Sequence, residues 1–120
     1  MNNRKTKILI IGGGTGGIML SARLMKLKAP VEITLIEPSD THWYHPAWTL
    51  VGAGAYDIKK TSKPMADMIP KNVTWIKDFA TGFKANQNIV STAKNGDISY
   101  DFLVVSSGLV MDTSLIEGLT

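Results

Sequence analysis

The stretch Ile8–Gly17 reads ILIIGGGTGG and is the strongest indication of the fold. It begins as a short apolar run that ends in glycine, which is typical of a buried strand in a parallel sheet. Gly12, Gly14 and Gly17 follow in G-x-G-x-x-G spacing, and a helical pattern comes directly after them. In this arrangement the first glycine permits a tight turn, the second lets the backbone approach a pyrophosphate, and the third lets the helix pack closely. The stretch therefore predicts a dinucleotide-binding loop between a strand and a helix.

A second apolar run, Val31–Ile36, ends in an acidic residue, Glu37, about twenty residues past the last glycine. At this place a carboxylate accepts hydrogen bonds from the ribose of an adenosine, while the diphosphate lies over the free N–H groups at the helix start. The alternative is a glycine turn that binds nothing. The strand, the helix and the acid together favour the dinucleotide, in a parallel, right-handed βαβ unit.

Composition narrows the class of protein. The 120 residues correspond to one domain or part of one, and 44% apolar with 19% charged residues is typical of a soluble globular chain. The net charge is only +3 and the lysines are scattered, so we expect no nucleic-acid partner. Without cysteine, these residues hold no disulfide and no thiolate chemistry. No run approaches the ~20 apolar residues of a membrane span, and we expect an intracellular chain.

The remaining pattern predicts a mixed α/β order. The predicted elements are a strand Lys7–Ile11, a helix Thr15–Lys28 ended by Pro30, a strand Val31–Ile36, a long irregular segment Pro38–Tyr56, a short helix Pro64–Ile69 with Ser62 as a possible cap, and a strand Val73–Lys77. An irregular segment of this length is often functional.

The last third of the chain predicts short antiparallel strands. Phe79–Lys84, Ile89–Ala93 and Asp97–Tyr100 read as a three-stranded meander. Asn95-Gly96 is a hairpin signal and predicts a type I′ turn, in which both residues have positive φ. Phe102–Ser106 is apolar again and ends near Gly108, which predicts a strand that returns to the parallel sheet.

This order of elements resembles the FAD domain of flavoproteins with two dinucleotide-binding domains. In those proteins the last strand ends in Ala-Thr-Gly, and here the matching residues are Ser106, Ser107 and Gly108, which keep the small size and the glycine. The resemblance implies an α/β, Rossmann-like three-layer FAD-binding domain, with a parallel sheet and an antiparallel β-meander, present in truncated form. The meander favours FAD over NAD as the cofactor.

The segment after Glu37 is similar to one family of these flavoproteins, the sulfide:quinone oxidoreductases. Residues 37–78 read EPSDTHWYHPAWTLVGAGAYDIKKTSKPMADMIPKNVTWIKD. The family carries Y-x-P-x-W-T-L-V-G-A-G, then a proline helix ending in Ile-Pro, then V-x-W-I-K. One departure is His45, where glutamine is expected. The resemblance covers essentially all 120 residues.

The resemblance implies a set of FAD-binding residues and neither a catalytic residue nor a metal site in this chain. Diphosphate binding is implied for Gly12, Gly14, Thr15, Gly16 and Gly17, ribose binding for Glu37, and adenosine contacts for Pro38 and the backbone of Ala80. Trp43 and His45 would lie toward the isoalloxazine ring, and Ser107 and Gly108 near the ribityl chain and diphosphate.

The implied activity is the transfer of electrons from sulfide, through a redox-active disulfide and FAD, to a quinone. Because the chain has no cysteine, we expect residues 1–120 to be the N-terminal part of the FAD-binding domain of a longer enzyme, inactive alone. In the family, C-terminal helices attach the enzyme to the membrane. The parent is therefore expected to be cytoplasmic and peripheral to the inner face of the cell membrane.

Other interpretations remain open or are disfavoured. A type II NADH:quinone dehydrogenase-like flavoprotein and a non-catalytic NAD-binding Rossmann module share the glycine loop. Tyr56 and Lys60 spell the Y-x-x-x-K pair of short-chain dehydrogenases, whose glycine spacing differs from that found here. His42 and His45 could suggest a metal pair, but no third ligand has convincing spacing.

The aromatic residues of the same segment allow two readings. Trp43 and Tyr44 could stack on a ligand or pack within the loop, whereas Trp48 and Trp75 are expected to pack.

Overall fold

A four-stranded parallel sheet forms the centre of the protein. The structure is a computed structural model that describes residues 4–119. In chain order its strands are β1 (Thr6–Ile11), β2 (Val31–Ile36), β3 (Thr41–Trp43), β4 (Ser62–Pro64), β5 (Thr74–Ile76), β6 (Ala80–Lys84), β7 (Ile89–Thr92), β8 (Asp97–Ser99) and β9 (Phe102–Val105). The α-helices are α1 (Thr15–Lys26), α2 (Trp48–Gly52) and α3 (Met65–Met68). The parallel strands lie in the order β5-β2-β1-β9.

The parallel sheet separates two apolar layers, because successive side chains of a strand point to opposite faces. On one face, Ile10 of β1 and Ile33 of β2 pack with Ile18 of α1. On the other face, Leu9 and its neighbours in the sheet pack with Val90 of the meander β6-β7-β8. The α/β fold with three layers is therefore as the sequence predicts.

Two local predictions near these layers are wrong. Helix α1 ends at Lys26 rather than Lys28, and Lys28 has a left-handed φ of +51°, which no α-helix contains. In the hairpin between β7 and β8, Gly96 has a φ of +69° but Asn95 is not in the left-handed region, so the turn is not type I′. The carboxylate of Asp78 accepts from the N–H groups of Lys94 (2.8 Å) and Asn95 (3.1 Å) and holds a longer loop instead.

The segment predicted to be irregular is in fact ordered by an antiparallel pair. Strand β3 pairs with β4, so that His42 lies opposite Lys63. Between them lie the 3₁₀ turn His45–Ala47, helix α2, and a second 3₁₀ turn, Ile58–Thr61. The predicted cap Ser62 belongs to β4, and the short helix α3 begins only after Pro64 without a side-chain cap.

No helix within residues 4–119 is both long enough and apolar enough to cross a membrane. The longest, α1, has 12 residues.

Candidate functional site

A cleft of about 370 Å³ lies where the glycine loop, the end of β2 and the end of β9 meet. All three segments follow the carboxyl ends of parallel strands, which is where open α/β sheets bind ligands. Eight residues proposed from the sequence line this cleft together: Gly14, Thr15, Gly16, Glu37, Trp43, His45, Ser107 and Gly108. Gly12, Gly17, Pro38 and Ala80 do not line it.

Gly12 and Gly17 do not line the cleft, but both allow close backbone contacts that give the loop its shape. Gly12 has a φ of +106°, and a Cβ atom there would lie 2.2 Å from the carbonyl oxygen of Ser106. A Cβ atom at Gly17 would lie 1.9 Å from the carbonyl oxygen of Gly12. The Ser106 hydroxyl donates to the Ile11 carbonyl at 3.0 Å and ties the loop to the end of β9. Any larger residue at either glycine would force this junction apart.

The N-terminus of α1 faces the cleft with free donors. The first intrahelical bond runs from the Ile18 N–H to the Gly14 carbonyl at 3.0 Å. The N–H groups of Thr15, Gly16 and Gly17 precede it and have no carbonyl one turn back to bind. Gly14 provides no side-chain cap, the first turn carries no acidic residue, and a Cβ atom at Gly14 would meet nothing within 4 Å. Open space in front of unused N–H groups fits an anionic diphosphate.

Glu37 lines the cleft and is held by hydrogen bonds. One carboxylate oxygen accepts from the Gly13 N–H at 2.9 Å, and the other accepts from the Ser39 N–H at 2.9 Å. The indole N–H of Trp75 donates to the Glu37 backbone carbonyl at 2.9 Å. A carboxylate has about four acceptor positions, so two remain for the hydroxyl groups of a ribose.

Gly13 is a site residue that the motif spacing does not identify. A Cβ atom there would lie 2.9 Å from Cγ of Glu37 and 3.0 Å from Sδ of Met65. Its backbone joins two side chains, because the Gly13 N–H donates to Glu37 and the Gly13 carbonyl accepts from His42. The run of three consecutive glycines was the available signal, since the fingerprint requires only the first and third of them.

His42 is buried and supports the glycine loop through a hydrogen bond. Its side chain is only 5% exposed, and Nδ1 lies 2.9 Å from the Gly13 carbonyl oxygen. A carbonyl oxygen only accepts, so Nδ1 carries the proton and donates. His45, in contrast, is exposed, and its ring centroid lies 4.4 Å from that of Trp48. Among the described residues, no group of three or more histidine and acidic side chains is arranged to hold a metal ion.

The three aromatic residues near the cleft have different surroundings. Trp43 lines the cleft and is 44% exposed, and its ring meets that of Trp48 edge-on at a centroid distance of 6.2 Å. The Trp48 indole N–H donates to Oγ1 of Thr61 at 3.2 Å, so Trp48 packs inside this segment as expected. Tyr44 lines a separate cavity, which is also lined by Tyr56 and Lys60.

Pro38 and Ala80 lie outside the lining of the cleft. Ala80 is in β6 and packs against the cluster of Leu9, Ile11 and Val90 on the meander side of the sheet. Their contacts with the adenosine remain predictions.

The fold and the cleft define a dinucleotide-binding domain, and comparison with known proteins agrees. Residues 9–51 match the model of a protein family described as FAD-NAD(P)-binding. The chain is 46% identical over 115 residues to the mitochondrial sulfide:quinone oxidoreductase of Dictyostelium discoideum, a match that covers 95% of this chain and 25% of that protein.

Two solved structures have a fold similar to that of this chain. The sulfide:quinone oxidoreductase of the hyperthermophilic bacterium Aquifex aeolicus matches with a TM-score of 0.73 and 27% identity, over 90% of this chain and 25% of that one. NDH2 of Plasmodium falciparum, solved with NADH, matches with a TM-score of 0.70 over 97% of this chain and 25% of that one. At 21% identity, this second match supports the fold alone.

The chain is similar over most of its length to sulfide:quinone oxidoreductases, and its domain is of the FAD-binding flavoprotein type. It spans about a quarter of the length of the curated relatives that it matches. The predicted family resemblance, the α/β fold class and FAD as cofactor are thereby confirmed.

Proposed function

We propose that this chain is the N-terminal FAD-binding part of an enzyme that passes electrons from sulfide to a quinone. A dinucleotide cleft alone does not select among flavoproteins. The observation that carries the choice is the 46% identity to a sulfide:quinone oxidoreductase across 95% of the chain, which includes the aromatic segment beside the cleft. The NDH2-like alternative rests on fold similarity alone.

In this proposal the residues of the cleft bind and orient the cofactor. The N–H groups at the start of α1 bind the diphosphate together with the backbone of Ser107 and Gly108. The carboxylate of Glu37 uses its two free acceptor positions for the adenosine ribose. Trp43 and His45, which line the cleft, would lie toward the isoalloxazine ring. FAD itself supplies the two-electron redox chemistry.

The remaining parts of the reaction are assigned to residues outside this chain. A persulfide or disulfide intermediate needs cysteine, and none of the 120 residues is a cysteine. We therefore expect the chain alone to be inactive, with sulfide and quinone as substrates of the longer protein. That protein would contact the inner face of the cell membrane from the cytoplasm through regions outside residues 1–120.

The test uses the longer parent protein purified with its bound cofactor. We expect flavin absorption bands that persist in the supernatant after denaturation, and bleaching of those bands by sulfide but not by NADH. Bleaching by NADH but not by sulfide would instead support an NADH:quinone dehydrogenase. A colourless protein that binds NAD and not FAD would support the non-catalytic Rossmann module and contradict the proposal.

A further inference from the structure

A second cavity of about 200 Å³ lies beside the cleft, on the other side of His42. Its walls are formed by the β3-β4 pair, by the 3₁₀ turn Ile58–Thr61 and by α3. A volume below the roughly 300 Å³ of the smallest drug-sized pockets fits a small ligand, such as one ring with one charged group. Nothing in the proposed roles of the cleft residues uses this cavity.

The backbone pairing brings the side chains of this cavity to one place. His42 lies directly opposite Lys63 in the β3-β4 pair, and opposite residues of an antiparallel pair point to the same face. Tyr44 is two residues after His42, and its N–H donates to the Thr61 carbonyl at 2.7 Å, so it shares that face. Tyr56 and Lys60 complete the wall.

The turn that carries Lys60 is fixed in place. The Thr61 side chain is only 2% exposed, and its hydroxyl donates to the Ile58 carbonyl at 2.7 Å while accepting from the Trp48 indole. At the start of the same turn, Oδ1 of Asp57 accepts from the Lys59 N–H at 2.9 Å. The cavity is thus supported by hydrogen bonds on its outer side.

The cavity carries positive charge that the protein does not neutralise. Elsewhere Lys77 pairs with Asp40 and Lys84 pairs with Asp97. Within residues 4–119, neither Lys60 nor Lys63 forms an ion pair, and no acidic residue is among those that line the cavity. Two ammonium groups without a carboxylate partner attract an anion.

The other walls are apolar or aromatic. Tyr44 and Tyr56 provide aromatic side chains, and the half-buried side chain of Met68 provides a polarisable thioether. Such walls favour a ligand with an apolar portion, because burying that portion adds to the attraction of the charge. We infer that this cavity is a binding site for a small organic anion, one that joins a compact apolar group to a single carboxylate or similar acidic group.

His42 connects this cavity to the larger cleft, because it lines both. Its Nδ1–H donates to the carbonyl of Gly13, and the N–H of the same residue donates to Glu37. An anion in the second cavity therefore lies one side chain away from the residues that we expect to bind the cofactor. This inference does not depend on the proposed function, since it concerns charge and shape alone.

The test is a titration of the full chain with sodium benzoate, followed by ¹⁵N and ¹³C NMR. We expect saturable shifts of Tyr56, Lys63 and Met68 resonances, weaker binding of acetate, and no binding of benzylamine. High salt weakens the interaction, because exposed charges are screened. Shifts confined to Gly14, Thr15 and Gly16 would place the anion in the larger cleft instead and overturn the inference.

Lysine variants provide the matched comparison. The double change Lys60→Gln with Lys63→Gln should weaken benzoate binding about tenfold, as expected for two solvent-exposed charge contacts. Lys59→Gln removes the same charge from the same turn at a residue that does not line the cavity, and should leave the affinity unchanged. The site would be contradicted if Lys59→Gln weakened benzoate binding as much as the double variant does, or if the double variant did not weaken it. Circular dichroism of each variant checks that it is folded.

Discussion

At the scale of single residues, the glycines of the loop are of two kinds. Some are needed because a side chain would clash with the backbone, and others leave open space for a ligand. A Cβ atom at Gly17 would lie 1.9 Å from a carbonyl oxygen, whereas one at Gly14 would meet nothing. The sequence motif assigns the approach of a pyrophosphate to Gly14 and close packing to Gly17. The distances around the two glycines lead to different expectations for the same substitution.

Gly17→Ala should destabilise the chain by about 1–3 kcal/mol, the usual range for a clash in a packed region. Gly14→Ala should leave the free energy of unfolding almost unchanged, because Gly14 has a φ of −73° and open space around it. It should weaken FAD binding instead, since the added methyl group occupies the approach of the diphosphate. Urea unfolding and quenching of FAD fluorescence measure the two effects. Equal loss of stability in both variants would refute the division.

Glu37 allows a test of ribose binding that is separate from folding. Glu37→Gln keeps the shape but places an amide N–H₂ against one of two backbone donors, and the charged hydrogen bond to the ribose is lost. We expect ADP to bind roughly tenfold more weakly, since hydrogen bonds to charged groups contribute about 1.5–3 kcal/mol. The variant should discriminate less between ADP and 2′-deoxy-ADP than the original chain does, as measured by calorimetry. Glu32→Gln, an exposed change on β2, is the control.

At the scale of elements, the sequence predicted the strands and helices that have a clear apolar pattern. Strands β1 and β2, helix α1 and the meander follow from apolar runs and turn residues. The β3-β4 pair could not be predicted, because each strand has only three residues and the partners are about twenty residues apart. The Asn95-Gly96 pair correctly predicted a hairpin, but the predicted turn type was wrong. The N–H of Asn95 donates to Asp78, which lies outside the hairpin, and this hydrogen bond fixes Asn95.

Asp78 makes the meander sensitive to acid. The side chain is 3% exposed, and although burial raises its pKa, hydrogen bonds from the Asn95 side chain and the Lys94 and Phe79 N–H groups lower the pKa far below its usual range. A carboxylate with a lowered pKa stabilises the fold above its unfolded pKa of about 4, and this contribution is lost as the pH falls below that value.

We therefore expect that, in the unaltered chain, the urea concentration at the midpoint of unfolding decreases as the pH is lowered from 6 to 3. Asp78→Asn should be less stable at pH 6 but lose less on acidification, because the titrating group is gone. The exposed change Asp67→Asn should keep the original pH dependence. An unchanged slope in Asp78→Asn would show that other carboxylates dominate, of which Asp97 and Asp101 also have lowered pKa values.

At the scale of the whole molecule, the chain is more extended than its length requires. Its radius of gyration is 16.7 Å, against about 13.6 Å for a compact domain of this size. Beyond β9, Leu109 and Val110 are 96% and 95% exposed, and Met111 and Leu115 are also largely exposed. Contiguous apolar exposure of this kind is rare on a free surface and marks a region that binds another surface.

This exposed segment predicts concentration-dependent association of the isolated chain. Sedimentation velocity should show the average mass rising with concentration, since each molecule can reduce its apolar exposure only against another. Val110→Lys should suppress the effect, because burying an added charge at the contact is costly. Leu27→Lys changes a residue that is 71% exposed but lies apart at the end of α1, and should leave association unaltered. A chain that stays monomeric at every concentration, or a Leu27→Lys variant that dissociates as readily as Val110→Lys, would mean that residues 109–119 do not govern assembly.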